Sequence, residues 1–75
     1  MEYTIKDALA ELRLVADNMR LNVVQSRGLW GYYFGRIEGF IALYRLIGRY
    51  MNSEDQNEYM KILEQCRDTL RKYEG

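Results

Sequence analysis

The amino-acid sequence predicts an all-α protein that folds as a three-helix antiparallel up-down-up bundle. Apolar residues recur at three- and four-residue spacing, and capping residues mark the starts of two of the three segments, each of about twenty residues. Short turns between such helices make sequence neighbours antiparallel. The chain has 75 residues, enough for one domain. A domain of this size buries only about 60% of its unfolded surface and therefore benefits from a partner.

Helix 1 is predicted over residues 5–24. Thr4 and Asp7 stand at its start, where the hydroxyl can accept a hydrogen bond from a free amide of the first turn and the carboxylate favours the positive end of the helix. One face is apolar and is predicted to be buried; it comprises Ile5, Ala8, Leu9, Leu12, Val15, Ala16, Met19 and Val23. A weaker apolar line lies off this face and comprises Ala10, Leu14, Leu21 and Val24. This line is either scattered surface leucine or a second contact surface.

Helix 2 is predicted over residues 29–51, after a break in the helical pattern that ends at Gly28. Its large side chains cover an arc of roughly 200° around the helix. They are Leu29, Trp30, Tyr33, Phe34, Ile37, Phe40, Ile41, Leu43, Tyr44, Ile47 and Met51. So wide an apolar arc predicts a central helix that lies between helices 1 and 3 and contacts something further.

Helix 2 is also rich in glycine. Gly31, Gly35 and Gly39 recur at four-residue spacing, and each interior glycine costs about 1 kcal/mol relative to alanine. Close approach of another backbone would offset this cost, because small residues let two helices meet without side chains between them. Helix 2 is therefore a candidate contact for dimerisation or for a protein partner.

The charged residues of helix 2 are Arg36, Glu38, Arg45 and Arg49, and none has an opposite charge three or four residues away. Arg36 either packs its stem on the ring of Tyr33 or Phe40, or anchors an interface. Glu38 is expected in an interhelical salt bridge, since no second group is placed to make it a catalytic acid.

The predicted partner-binding surface combines these charges with the small residues of helix 2. It comprises Gly31, Tyr32, Gly35, Arg36, Glu38, Gly39, Arg45 and Arg49. One sector of the helix is interpreted as a shallow groove with a basic end; it contains Gly31, Gly35, Glu38, Ala42, Arg45 and Arg49. The alternative is a solvent-facing strip, or part of the bundle interior.

Helix 3 is predicted over residues 54–73. Ser53 is the predicted N-cap, with Gln56 three residues later and acidic residues in the first turn. The buried face is predicted to comprise Tyr59, Leu63, Cys66, Leu70 and Tyr73, with Ile62 and Thr69 at its margin.

Composition excludes most catalytic chemistry. The chain has no histidine, which removes the histidine-dependent nucleophile systems and imidazole metal ligands, and its single cysteine cannot build a zinc or iron–sulfur site. No phosphate-binding loop or dinucleotide fingerprint occurs. We therefore predict no enzymatic activity, no cofactor, no metal and no small-molecule substrate.

Charge and cysteine usage bear on partners and location. Eleven basic and eleven acidic residues cancel, which disfavours broad attraction to nucleic acid. The charges within helix 2 disfavour a membrane span. The lone Cys66 is interpreted as a buried hydrophobe in a reducing compartment, and the first residues lack the features of a secretion signal. These observations predict a cytoplasmic protein.

Three functions are compatible with these features. The favoured one is a small noncatalytic protein–protein interaction module, a regulator or inhibitor that binds a larger protein, self-associates through helix 2, or does both. A phage or mobile-element inhibitor of a host enzyme is one concrete version. The alternatives are a small dimeric helical DNA-binding regulator and a structural self-assembling subunit.

Overall fold

The structure is a computed structural model that describes residues 2–22 and 28–72. These residues form three α-helices, α1 (Ile5–Asn22), α2 (Gly28–Ile47) and α3 (Ser53–Lys72). A 3₁₀ turn, Gly48–Tyr50, follows α2. No strand occurs in the described ranges. The all-α prediction is therefore confirmed.

The helix bounds differ from the predicted ones at three points. Helix α2 begins at Gly28 rather than at residue 29. Helix α2 ends at Ile47 rather than at residue 51, because the backbone tightens into the 3₁₀ turn. Helix α3 begins one residue earlier than predicted, at Ser53. The predicted ends of helices 1 and 3, at residues 24 and 73, lie outside the described residues, as do residues 23–27 of the predicted break at 22–28. Asn22 and Gly28, at the edges of that break, belong to α1 and α2.

A reciprocal capping box starts α1, as the sequence predicts. The backbone N–H of Asp7 donates to Thr4 Oγ1 at 3.2 Å, and the backbone N–H of Thr4 donates to Asp7 Oδ2 at 2.9 Å. These two bonds satisfy amides that the first turn leaves without helical partners.

The cap of α3 is Asn52, which corrects the prediction that Ser53 caps this helix. The backbone N–H of Asp55 donates to Asn52 Oδ1 at 2.7 Å. Asn is as good an N-cap as Ser and stands one residue earlier, so Ser53 becomes the first helical residue. The side-chain amide of Gln56 donates a hydrogen bond to the Gly48 carbonyl oxygen at 2.7 Å. This bond links the 3₁₀ turn to α3.

All three helices contribute buried side chains to one core. From α1 and α2 these are Ala8, Leu9, Leu12, Val15, Met19, Tyr33, Ile37 and Phe40. Met51 and the α3 residues Tyr59, Ile62, Leu63, Cys66 and Leu70 complete the core. The predicted buried faces of α1 and α3 match this core wherever the structure describes them, with Ile5 and Ala16 only partly buried.

Two hydrogen bonds join α2 to α3. Trp30 Nε1 in the first turn of α2 donates to the Leu70 carbonyl near the end of α3, at 2.8 Å. Tyr59 Oη near the start of α3 donates to the Phe40 carbonyl at 2.6 Å. Contacts along α2 therefore follow the reverse order of contacts along α3.

Helix α2 does not separate the other two helices, contrary to the prediction of a central helix 2. Helices α1 and α3 contact each other directly, and Arg13 of α1 forms an ion pair with Glu58 of α3. The wide apolar arc of α2 is therefore only partly covered, and several of its large side chains remain exposed.

Candidate functional site

The surface of α2 turned away from the core has small residues along most of its length. We call it the outer face of α2 and define it by the exposed residues Gly31, Tyr32, Gly35, Gly39, Ala42 and Leu46. At 3.6 residues per turn these positions share one side of the helix. Leu46 is 65% exposed, and Tyr50, just beyond it in the 3₁₀ turn, is 70% exposed.

The chain's own helices do not approach the glycines of this face. A β-carbon built at Gly31, Gly35 or Gly39 would meet no atom of the described residues within 4 Å. Gly48 is different, since a β-carbon there would lie 3.2 Å from the Tyr44 ring. The close contact that the sequence predicts for the glycine row is thus absent among the described residues.

One flank of the outer face forms an open groove of about 400 Å³. Its lining residues are Tyr32, Gly35, Arg36, Gly39, Phe40 and Leu43. Four of the eight predicted site residues meet here: Tyr32, Gly35, Arg36 and Gly39. The guanidinium carbon of Arg36 lies 5.7 Å from the centroid of the Phe40 ring, which matches the ring-packing alternative for this arginine.

The other charged residues of the predicted partner-binding surface lie outside this groove. Glu38 and Arg45 line pockets at the boundary between α2 and α3, on the opposite flank of the helix. Arg49 belongs to the 3₁₀ turn, and its guanidinium carbon lies 5.4 Å from the centroid of the Tyr50 ring. The predicted surface is therefore divided between two flanks of α2 and the turn that follows it.

The interhelical salt bridge predicted for Glu38 is not formed within the described part of the chain. Glu38 is exposed and shares its pocket with Arg67 and Arg71 of α3. These arginines lie near enough to line the same pocket, but none of their nitrogens is within ion-pair distance of its carboxylate. Glu38 remains a charge at the rim of that pocket.

Sequence reasoning missed two exposed apolar residues of this region, Leu46 and Tyr50. The sequence pattern indicates the exposure of Leu46, because this residue falls at the helical position between Gly35 and Gly39, and no core residue shares that side of the helix. Together with Tyr32 they give the outer face apolar area that the small residues do not supply.

Burial raises the pKa of three groups in the described residues, Tyr3, Tyr59 and Cys66. Burial raises the pKa of the Cys66 thiol to about 11, which keeps it protonated at neutral pH. Burial also raises the pKa of Tyr59, whose hydroxyl is used in a helix-to-helix hydrogen bond, to about 12. No cluster of three or more His, Cys, Asp or Glu side chains able to hold a metal occurs in the described ranges.

None of the described helices combines the length and the hydropathy needed to cross a membrane. No protein-family model, curated protein or solved structure matches this chain.

Proposed function

We propose that this protein is a noncatalytic protein–protein interaction module that binds a larger protein through the outer face of α2. It acts in the cytoplasm as a regulator or inhibitor of that partner. The observation that carries the proposal is the exposure of Tyr32, Leu46 and Tyr50 beside a row of small residues that no other part of the described chain covers. Exposed aromatic and aliphatic side chains grouped in this way are typical of interaction surfaces.

Charge favours an acidic partner over a second copy. Helix α2 and the 3₁₀ turn carry Arg36, Arg45 and Arg49 against Glu38, a net charge of +2. Two copies that met through this surface would bring six arginines and two glutamates together, and like charges oppose association. A partner with acidic residues around an apolar centre avoids that cost.

The proposed arrangement of the helices is an up-down-up bundle. The reversed order of contacts between α2 and α3 supports it. Contacts between α1 and α3 follow the same order in both helices: Arg13 pairs with Glu58, and the later residues Asp17 and Arg20 line a pocket with Gln65 and Asp68. In this arrangement the outer face of α2 lies on the outside of the molecule, and none of the described residues covers it. The arrangement offers a partner a single continuous helical surface.

The test is affinity capture from the native cell extract, with the mass of intact complexes measured. Reversal of Arg45 and Arg49 to Glu should preserve the helical circular dichroism spectrum and reduce partner recovery at least about tenfold, because rim charges guide and hold an acidic partner. The matched control reverses Lys6 and Lys61, which are exposed outside this surface, and should recover the partner normally.

The proposal fails if the wild-type protein recovers no larger protein. It also fails if the Arg45/Arg49 variant and the Lys6/Lys61 variant recover the partner equally well. An intact mass that corresponds only to multiples of this chain would favour self-assembly instead.

A further inference from the structure

A second apolar depression runs along the boundary between α2 and α3. We call it the α2–α3 groove. It consists of two pockets, of about 230 Å³ and about 120 Å³, and Arg67 lines both. The apolar lining of the larger pocket is Trp30, Phe34, Ile37 and Leu70. That of the smaller pocket is Ile41, Tyr44, Met60 and Leu63.

The two pockets lie about two turns of α3 apart. Leu70 lines one pocket and Leu63 the other, and seven residues of helix correspond to about 10.5 Å. Arg67 is exposed and stands between them, three residues before Leu70 and four after Leu63. The groove therefore fits two apolar side chains about two helical turns apart, with an anionic group between them.

Helix α1 presents such a pattern on its solvent side. Leu14 and Leu21 are 60% and 67% exposed and also lie seven residues apart. Asp17 stands between them, three residues after Leu14 and four before Leu21. We call these three residues the α1 ridge. When the ridge runs antiparallel to α3, Leu14 faces the Leu70 pocket, Asp17 faces Arg67 and Leu21 faces the Leu63 pocket.

Charges at the two surfaces are complementary. The rim of the groove carries Arg45, Arg67 and Arg71 against Glu38 and Glu64. Glu11 and Asp17 flank Leu14 on the ridge, whereas the neighbouring Arg13 is held by Glu58 of its own chain. Asp17 pairs with Arg20, but both side chains are more than half exposed. An exposed ion pair of this kind contributes little to stability, so Asp17 can also pair with an arginine of a second molecule.

We propose that the α1 ridge of one copy of this protein binds in the α2–α3 groove of a second copy. The contact is heterologous, because each copy offers one ridge and one groove and the two surfaces differ, so association continues from subunit to subunit. It goes beyond the proposed function, since none of the residues that define the outer face of α2 lies in the ridge or the groove; Glu38 and Arg45 border both the groove and that face. A single helix in a groove gives a small interface, so the association is weak and reversible.

Sedimentation velocity over a wide range of protein concentration tests this proposal. The weight-average mass of the wild-type protein should rise from that of a monomer as concentration increases. The ridge variant, Leu14→Glu with Leu21→Glu, and the groove variant, Met60→Glu with Arg67→Glu, should each remain monomeric at every concentration. All four positions are exposed, so the variants should keep the wild-type circular dichroism spectrum.

A mixture of the two variants gives the sharpest result. The ridge variant keeps its groove and the groove variant keeps its ridge, so the mixture should form a 1:1 complex that grows no further.

The control, Leu46→Glu on the outer face of α2, should associate like the wild type. A double variant that exchanges the two charges, Asp17→Arg with Arg67→Glu, should associate more strongly than the single variant Arg67→Glu. This comparison does not use Met60→Glu, so the test stays valid even if that substitution perturbs folding.

A wild-type protein that stays monomeric at the highest concentration overturns the proposal. Association that survives in both variants, or a mixture that forms no complex, also overturns it. Loss of association in the Leu46→Glu control would assign self-association to the outer face of α2 instead.

Discussion

Tyr59 shows how one side chain connects two helices in a chain this short. It is fully buried, its hydroxyl donates to the Phe40 carbonyl at 2.6 Å, and its ring centroid lies 5.2 Å from that of Tyr44. The hydroxyl gives the buried ring a hydrogen-bond partner, and the ring fills the space between α2 and α3. Burial disfavours the phenolate and raises the pKa of Tyr59 from 10.0 to about 12.

Tyr59 is expected to make the fold sensitive to alkali. The folded pKa lies above the unfolded one, so its contribution to stability is complete below pH 10 and declines as pH rises towards 12. At pH 11 the unfolding free energy should have fallen by about 1.4 kcal/mol through this residue. Urea unfolding followed by circular dichroism at pH 8 and pH 11 measures the change.

The Tyr59→Phe variant is the control for this prediction. At pH 8 it should be less stable by about 1 kcal/mol, because it loses the hydrogen bond to Phe40. Between pH 8 and pH 11 it should lose less stability than the wild type does, because it lacks the Tyr59 hydroxyl. An equal loss in the two proteins would show that Tyr59 is not the group responsible.

At the scale of the helix, four glycines of α2 and of the 3₁₀ turn that follows it are of two kinds. Gly31, Gly35 and Gly39 face open space, whereas Gly48 lies under the Tyr44 ring, which is itself held against Tyr59. Only Gly48 is required by the packing of the described chain. The other three lower helix stability and leave a surface that a second backbone can approach closely.

Alanine at these positions should separate the two kinds of glycine. Gly35→Ala and Gly39→Ala should each raise the unfolding free energy of the isolated chain by about 1 kcal/mol, because alanine favours helix and no atom obstructs it. Gly48→Ala should give no such gain, since the new β-carbon would crowd the Tyr44 ring at 3.2 Å. Urea unfolding measures all three, and a stabilised Gly48→Ala variant would contradict the assignment.

At the scale of the whole molecule, a single small core must support the fold. A domain of this size has a stability of about 5 kcal/mol, so partial and global opening are accessible. Cys66 reports on this opening, because it lies in the core, is 1% exposed and has a pKa raised to about 11 by burial. Its thiol is protected only while the core is closed.

Labelling of Cys66 by a thiol reagent should therefore follow opening of the core. At pH 8 the native protein should react roughly a thousandfold or more slowly than the chain in concentrated urea. Tyr59→Phe should speed the reaction, because it lowers the free energy of opening. Native labelling as fast as that of the unfolded chain would show that the thiol is accessible without opening.

The sequence by itself determined the helical class, the start of α1 at its capping box and the buried faces of α1 and α3. These features depend on residues three or four positions apart, and such local patterns are visible in one chain. Competition between Asn52 and Ser53 for the cap is also local, but both residues suit that position, and the sequence did not distinguish them.

Only the tertiary structure decided which parts of α2 are covered. Periodicity shows that α2 is apolar over a wide arc, but it cannot show that α1 and α3 contact each other directly and leave Leu46 and the glycine row exposed. The same holds for the α2–α3 groove, in which the α2 residues are fifteen or more positions away from the α3 residues. Surfaces of this kind depend on how the helices pack, and that packing is a property of the folded chain as a whole.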